Sequence, residues 1–233
     1  MHLEMIEFVD NPEPRCPVML FLDTSDSMSG EPIKELNEGL AAFKYAVETD
    51  PLAALRVELS LVTFGGKAQI YQNFRTIDLF VPPKLETQGK TPLGEALEIG
   101  FEALNQRKEI YKKLGVPYYR PWVFLITDGA PTDEGWYKSA QDFQKADQAG
   151  KLMFFTIAVK GADRRILGQI AAPGRPPIHL KDLRFRELFL WVSTSIRMVS
   201  VSRTALNLDC HGIMQALPPV NTWAVDDLEY EDL

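Results

Sequence analysis

Apolar residues follow two alternating patterns along the chain, one typical of buried strands and one typical of amphipathic helices. Residues 17–22 are apolar without interruption, as in a parallel strand covered on both faces. In residues 32–48 the apolar positions, among them Leu36, Leu40 and Phe43, recur three or four residues apart, the spacing of a helix that packs on a sheet. The same patterns predict strands at 17–22, 56–64, 68–74, 122–126, 152–159 and 178–180, and helices at 32–48, 92–114, 134–149, 162–171 and 185–201. This alternation predicts an α/β fold with a central parallel sheet between two layers of helices.

Two adjacent glycines predict one exception to the parallel arrangement. Gly65 and Gly66 separate two strand patterns with too few residues for a crossover helix, so these strands are expected to form a hairpin. The expected sheet is therefore mostly parallel, with one antiparallel edge strand. We expect three segments: an N-terminal extension at 1–16, a single domain at 17–202, and a C-terminal extension at 203–233 that ends in an acidic tail. The extension is expected either to wrap around the domain or to remain mobile.

Composition and charge exclude several classes of function. A net charge of −7 and a pI near 5.1 argue against nonspecific nucleic-acid binding, which normally requires a basic face. The acidic N-terminus does not resemble a signal peptide, and no apolar stretch reaches the roughly 20 residues needed to span a bilayer. Cys16 and Cys210 suit a reducing compartment, with a bridge between them as the alternative. We therefore expect a cytoplasmic protein with neither nucleic acid nor membrane as a partner.

The candidate chemistry begins directly after the first predicted strand. There the sequence reads Asp-Thr-Ser-Asp-Ser-Met-Ser-Gly, which places Asp23, Ser25 and Ser27 in the loop at the carboxyl end of the strand. Ligands of open α/β sheets bind at that end, and a carboxylate with two hydroxyls supplies the hard oxygen donors that Mg²⁺ prefers. The alternative is that Ser27 or Ser29 caps the next helix and Asp23 only shapes a turn.

Two further residues are expected at the same edge of the sheet. Thr91 lies just before the long predicted helix, and Asp128 follows the strand predicted at 122–126. Each has a structural alternative, because Thr91 before Pro92 could cap a helix and Asp128 before Gly129 could form a turn. Oxygen donors on three loops at one edge nevertheless favour a metal site.

These residues match the pattern of a known family. The chain resembles the von Willebrand factor A (VWA) domains, whose metal-ion-dependent adhesion site (MIDAS) has the form Asp-x-Ser-x-Ser, a distant Thr and a distant Asp in Thr-Asp-Gly. All five positions are matched, by Asp23, Ser25, Ser27, Thr91 and Asp128, and the resemblance covers roughly residues 17–202. It implies a Rossmann-like VWA fold. It also implies a Mg²⁺ ion (Mn²⁺ or Ca²⁺ as alternatives) held by the three hydroxyls, with the carboxylates coordinating directly or through water.

The resemblance also carries expectations about function. One coordination position is left for a Glu or Asp of a partner, so the family implies a metal-dependent protein-protein interaction module rather than an enzyme. The segments Gly-Lys-Thr-Pro-Leu-Gly-Glu-Ala-Leu and Ile-Thr-Asp-Gly-x-Pro-Thr-Asp are similar to those of bacterial stand-alone TerY-like proteins linked to tellurium resistance. That similarity implies a stress-response system with kinase- or phosphatase-like partners.

Alternatives remain open from the sequence. A metal-dependent phosphoesterase would use the same ion, although no nucleophile or general base stands beside the motifs. A structural domain would use the metal only to hold three loops together. Asp26 replaces the Gly often found between the two serines, and it is either a solvated loop residue or a charge that weakens binding of acidic ligands. The acidic tail at 226–232 either keeps the protein soluble or competes for the metal.

Overall fold

The chain forms one six-stranded sheet in a computed structural model that describes residues 11–201, 217–220 and 223–224. The strands are β1 (Cys16–Asp23), β2 (Val57–Gly65), β3 (Lys67–Thr76), β4 (Trp122–Thr127), β5 (Met153–Ala158) and β6 (Ile178–His179). Their order in the sheet is β3-β2-β1-β4-β5-β6. Only β2 and β3 pair in an antiparallel manner, and the remaining neighbours are parallel. The expected α/β fold, a mostly parallel sheet with one antiparallel edge strand, is confirmed.

Helices cover both faces of this sheet. They are α1 (Glu31–Glu48), α2 (Pro51–Arg56), α3 (Leu93–Leu114), α4 (Trp136–Gln148), α5 (Arg164–Ile170) and α6 (Phe185–Val201), with 3₁₀ turns at Asp26–Met28 and Ile77–Leu79. Side chains of β1 alternate between two cores, with Val18 and Leu20 on the side of α1 and α6, and Met19 and Phe21 on the side of α3 and α4. No helix among the described residues combines the length and apolar character that a bilayer span requires.

The short helix α2 has no counterpart among the elements expected from the sequence. Its start is a local capping structure, in which the Asp50 carboxylate accepts hydrogen bonds from the backbone N–H groups of Leu52 and Ala53, at 3.0 and 2.9 Å. Pro51 occupies the first helical position, where a missing N–H has no cost. Six residues are too few for an apolar periodicity to show in the sequence, so only the Asp-Pro pair marks this helix.

The parallel strands bring the candidate loops to one edge. Leu22 of β1 lies beside Ile126 of β4, so Asp23 and Thr127, the last residues of the two strands, end at the same level. The loop after β1 and the loop after β4 therefore leave the sheet side by side. The segment that precedes α3 lies next to both of them, as the hydrogen bonds described below show.

Part of the C-terminal extension packs on the domain. The ring of Trp223 is fully buried, 5.3 Å from the ring of Trp191, whose indole N–H donates to the backbone oxygen of Pro218 at 2.8 Å. Ala224 forms an antiparallel bridge with Leu180, just after β6. The described part of the extension therefore wraps around the domain. Both Cys210 and the acidic run at 226–232 lie outside the described residues, so the expectations about them, like the boundary at 202, stay predictions.

Candidate metal centre

Asp23 is the most deeply placed residue of the candidate site. Its side chain is fully buried at the end of β1, and Oδ1 accepts a hydrogen bond from the backbone N–H of Ser25 at 2.9 Å. The hydroxyl of Thr127, the last residue of β4, donates to Oδ2 at 2.5 Å. Both carboxylate oxygens are therefore held in place, one by the loop after β1 and the other by the end of β4. Thr127 was not predicted as a site residue, although it stands in the Thr-Asp-Gly motif.

The two serines and Asp128 form a chain of hydrogen bonds beside it. The 3₁₀ turn at Asp26–Met28 folds the loop back, so that the hydroxyls of Ser25 and Ser27 meet at 2.9 Å. The Ser27 hydroxyl then donates to Oδ1 of Asp128 at 2.7 Å. Ser25 is buried, whereas Ser27 is exposed and Asp128 half-buried, so the site opens to solvent on the side of these last two residues.

Gly129 gives a common reference point for the remaining donors. A Cβ atom built on this glycine would lie 3.4 Å from Thr91 Oγ1, 3.7 Å from Asp23 Oδ2 and 3.8 Å from Ser27 Oγ. The three loops thus direct oxygen atoms of all five predicted ligands into one small region. That these residues bind a metal stays a prediction, but the structure brings every one of them together.

The capping alternatives for the site residues do not match the helix starts. Gly30 precedes α1 without a side-chain cap, so neither Ser27 nor Ser29 serves that helix. At the start of α3 the cap comes from the distant loop after β4. There the Asp133 carboxylate accepts from the N–H groups of Gly94 and Glu95, at 3.1 and 2.8 Å. Because Asp133 caps α3, the Thr91 hydroxyl is left for the site.

Thr132 fixes the backbone of Thr91 from the same loop. The Thr91 N–H donates to the Thr132 hydroxyl at 3.1 Å, and the Thr132 N–H donates to the Thr91 carbonyl at 2.9 Å. Thr132 and Asp133 are therefore positioning residues that the sequence analysis did not single out. Their signal was present in the segment Ile-Thr-Asp-Gly-x-Pro-Thr-Asp, but its physical role appears only when the loops meet.

Burial makes a negative charge costly at both carboxylates of the site. Burial raises the pKa of Asp23 from 3.8 to about 6, against the lowering effect of hydrogen bonds from Ser25 and Thr127, and the charge of Asp128 adds to the increase. Burial likewise raises the pKa of Asp128. Each negative charge is therefore costly in the protein without an ion, and a divalent cation would reverse the sign of the effect.

The donor set fits a hard cation. Within the described residues, no group of three or more His, Cys, Asp or Glu side chains could hold a metal ion. This edge of the sheet instead offers two carboxylates and three hydroxyls, all of them oxygen donors. Oxygen-only sites suit Mg²⁺, Mn²⁺ and Ca²⁺ better than the nitrogen- and sulfur-preferring metals.

Solved structures share the fold at low sequence identity. The open form of the pilus adhesin SpaC from Lactobacillus rhamnosus GG superposes with a TM-score of 0.60 at 14% identity, covering 80% of this chain and 31% of that one. The proximal thread matrix protein 1 from the mussel byssus, with a zinc-occupied MIDAS motif, gives a TM-score of 0.51 at 17% identity, covering 79% and 47%. The ArnB paralog VWA2 from Sulfolobus acidocaldarius gives 0.50 at 17% identity, covering 78% and 45%.

This chain spans less than half the length of each of those proteins, so the likeness concerns a domain within them. No curated protein sequence matches the chain significantly. A family match covers most of it, however, because residues 18–188 match the von Willebrand factor type A domain. That match contains the five candidate ligands and all six strands except the first two residues of β1. The chain therefore belongs to the von Willebrand factor type A domain family.

Proposed function

We propose that this domain is a metal-dependent protein-binding module that recognises an acidic side chain of its partner. Domains of this family often mediate metal-dependent protein interactions. The observation that carries the proposal is the convergence of five oxygen-bearing side chains from three loops on one partly open region. Asp23, Ser25 and Thr91 line its buried side, while Ser27 and Asp128 are accessible to an approaching protein.

The hydroxyls and the carboxylates of the site would have different roles in binding the ion. The hydroxyls of Ser25, Ser27 and Thr91 would hold the ion without adding charge, and Asp23 and Asp128 would balance its two positive charges. A bound divalent ion supplies a Lewis-acidic position that a carboxylate oxygen can fill. Because two carboxylates leave the loaded site near neutral, an incoming Glu or Asp meets no strong repulsion.

Mg²⁺ is the proposed ion, with Mn²⁺ and Ca²⁺ as alternatives. Hydroxyl and carboxylate oxygens are hard donors, and Mg²⁺ commonly takes few carboxylates while keeping water or a ligand in its remaining positions. The mussel byssus protein has been solved with zinc in its MIDAS motif, so zinc is tested beside these ions. A direct comparison of metals by titration is therefore part of the test.

The biological setting is proposed from the motif similarity alone. The segments around Thr91 and Asp128 resemble those of TerY-like proteins, which supports a cytoplasmic role in a tellurium-resistance or stress-response system. Kinase- or phosphatase-like proteins of the same system are the proposed partners. The five site side chains are carboxylates and hydroxyls, and we propose that they bind without catalysing a reaction.

The test uses two serines of the same loop as a matched pair. Titration calorimetry with MgCl₂ and MnCl₂ should detect binding to the wild type and to Ser29→Ala, since Ser29 is exposed outside the hydrogen-bonded group. Ser25→Ala should weaken binding at least tenfold, a typical penalty for disturbing a metal site. Equal affinities in the two variants would contradict the ligand assignment.

The partner is sought by affinity purification from the native host, with Mg²⁺, with EDTA, and with Asp23→Asn as bait. A protein retained only by the wild type in Mg²⁺, and released by substitution of one of its own Asp or Glu residues, would support the proposal. Retention that is unchanged in EDTA would overturn it. Mg²⁺-dependent turnover of a generic phosphate ester, lost in Asp23→Asn, would favour an enzyme instead.

A further inference from the structure

The segment that carries Thr91 is held against the metal loop by backbone contacts. Residues 80–92 form neither helix nor strand, and the chain bends at Gly89. They nevertheless follow the loop after β1 closely. The Gln88 N–H donates to the Thr24 carbonyl at 2.8 Å, and the Asp26 N–H donates to the Gly89 carbonyl at 2.9 Å. The position of Thr91 is thus linked to the serine loop through residues that donate no ligand.

Asp26 adds a side-chain bond to this link. Its Oδ1 atom accepts from the Gly89 N–H at 2.8 Å, so Asp26 and Gly89 exchange two hydrogen bonds, one of which requires the carboxylate. Gly89 lies two residues before Thr91, and Asp26 lies between Ser25 and Ser27. The side chain therefore joins the two loops next to three of the proposed ligands, which decides against a merely solvated residue.

The opposite side of the segment is closed by the β2–β3 hairpin. Gly89 has a φ of +61°, and a Cβ atom there would lie 2.8 Å from the Cα of Gly66. The Gly66 N–H donates to the carbonyl of Lys90 at 2.7 Å. The segment is thus held between the hairpin and Asp26, and losing either anchor would leave it free to move relative to the other.

We propose that Asp26 is a positioning residue for the metal site, and that its carboxylate holds the segment before α3 so that the Thr91 hydroxyl faces the ion. This rests on the proposed metal binding. The hydrogen bond is exposed, and exposed bonds contribute little to the free energy of unfolding because water replaces them readily. The loss of Asp26 should consequently appear in metal affinity and hardly at all in stability.

The experiment measures Mg²⁺ affinity by calorimetry and the melting temperature in EDTA, for wild type, Asp26→Ala, Asp26→Asn, Thr91→Val and the double variant Asp26→Ala/Thr91→Val. Asp26→Ala should weaken Mg²⁺ binding about tenfold, the lower end for residues that orient metal ligands. Asp26→Asn keeps an oxygen acceptor for the Gly89 N–H and should stay within about threefold of wild type. In EDTA, Asp26→Ala and Asp26→Asn should melt close to the temperature of the wild type. The double variant should melt close to the temperature of Thr91→Val.

The double variant separates positioning from an effect of charge. If Asp26 acts by placing Thr91, its removal should cost nothing further once the Thr91 hydroxyl is gone, so the double variant should match Thr91→Val. Additive losses, or an Asp26→Asn variant as weak as Asp26→Ala, would overturn the positioning role. Tighter binding in either variant would overturn it as well.

The proposed function is controlled by adding Asp23→Asn to the series and by repeating the titrations with Mn²⁺. If neither the wild type nor any variant binds Mg²⁺ or Mn²⁺, the metal site itself is wrong. If the wild type binds and Asp23→Asn does not, the site is sustained, and unchanged affinity in Asp26→Ala then counts against the role of Asp26 alone.

Discussion

Two buried carboxylates on neighbouring strands are treated in opposite ways by this fold. Glu58, near the start of β2, is fully buried and forms ion pairs with Arg15 Nε at 3.0 Å and Arg107 Nη2 at 2.7 Å. The hydroxyl of Tyr111 donates to it at 2.5 Å. Burial, the largest cause, and the neighbouring carboxylate raise the pKa of Tyr111 well above its usual value, so this hydroxyl remains a donor.

Asp23 is equally buried at the other end of the sheet, about 20 Å away if the six register positions between the two rows are counted at ~3.3 Å each. Its neighbours are hydroxyls, a backbone N–H and the carboxylate of Asp128. The two carboxylates therefore differ in the source of the positive charge that balances them. Glu58 is balanced by the chain itself, which is typical of a structural ion pair, whereas the proposed function assigns the counter-charge of Asp23 to a bound divalent cation.

The largest expected effect comes from breaking the balance at Glu58. Glu58→Gln removes the carboxylate that forms ion pairs with the buried guanidinium groups of Arg15 and Arg107, which should lower the free energy of unfolding by about 3–5 kcal/mol. Urea unfolding of the wild type and variant measures the difference. The control is Glu13→Gln, because the Glu13–Arg56 pair, 2.7 Å long, is partly exposed and should contribute about 1 kcal/mol or less. Equal losses in the two variants would contradict the comparison.

A smaller change in the free energy of unfolding is expected when Mg²⁺ is added to balance the charge of Asp23. Mg²⁺ at 100 times its dissociation constant should raise the free energy of unfolding by about 2.7 kcal/mol, since an ion that binds only the folded state stabilises it by mass action. Thermal or urea unfolding with and without Mg²⁺ measures this gain. Glu58→Gln should gain as much as the wild type and Asp23→Asn nothing. A gain that persists in Asp23→Asn would place the ion elsewhere.

The smallest change in stability is expected when the charge of Asp23 is removed by substitution and the protein is measured without metal. The pKa of Asp23 is higher in the folded protein, about 6, than its usual 3.8, so the native state binds this proton more tightly. This contribution to stability is therefore present at low pH and is lost as pH rises from about 4 to above 6. In EDTA at pH 8, Asp23→Asn should be more stable than wild type by about 1–2 kcal/mol, because it removes a negative charge that is costly to bury. The gain stays below the ~3 kcal/mol that the pKa difference corresponds to, since the amide retains only one acceptor oxygen.

Urea unfolding of both proteins between pH 4 and pH 8 checks this sign. The difference between Asp23→Asn and wild type should be close to zero or slightly negative at pH 4 and positive at pH 8. A wild type that is more stable than the variant at pH 8 without metal would show that the hydrogen bonds to Asp23 outweigh the cost of its burial.

The sequence predicts the parts of the structure whose signal is local. The strand at 17–22 and the helix at 185–201 follow from unbroken or periodic apolar residues, and the hairpin follows from Gly65 and Gly66. The five candidate ligands could be assigned to one edge because parallel strands end together. This much depends only on short-range pattern and on the geometry of parallel sheets.

What the sequence did not predict depends on contacts between distant loops. Asp133 caps a helix that begins 40 residues before it, as its bond to the Gly94 N–H shows, with the two residues 39 positions apart. Asp26 binds Gly89, 63 residues away. No periodicity encodes such pairs, since either partner would look like an ordinary turn residue in isolation. The sequence likewise does not predict that Gly65 lies against Thr24. A Cβ atom at residue 65 would lie 2.1 Å from the Thr24 carbonyl oxygen, so the contact requires glycine.

Trp223 sets a lower limit on the piece of chain that can be moved into another protein. The family match ends at residue 188, but the indole of Trp223 fills the core against Trp191, and its carbonyl accepts from the Lys181 N–H at 2.8 Å. A graft cut at the family boundary would remove most of α6, which runs from Phe185 to Val201, and would take away the Trp223 carbonyl that accepts from the Lys181 N–H. Transplantation or fusion of this domain should therefore include residues through 224, with any linker joined beyond that point.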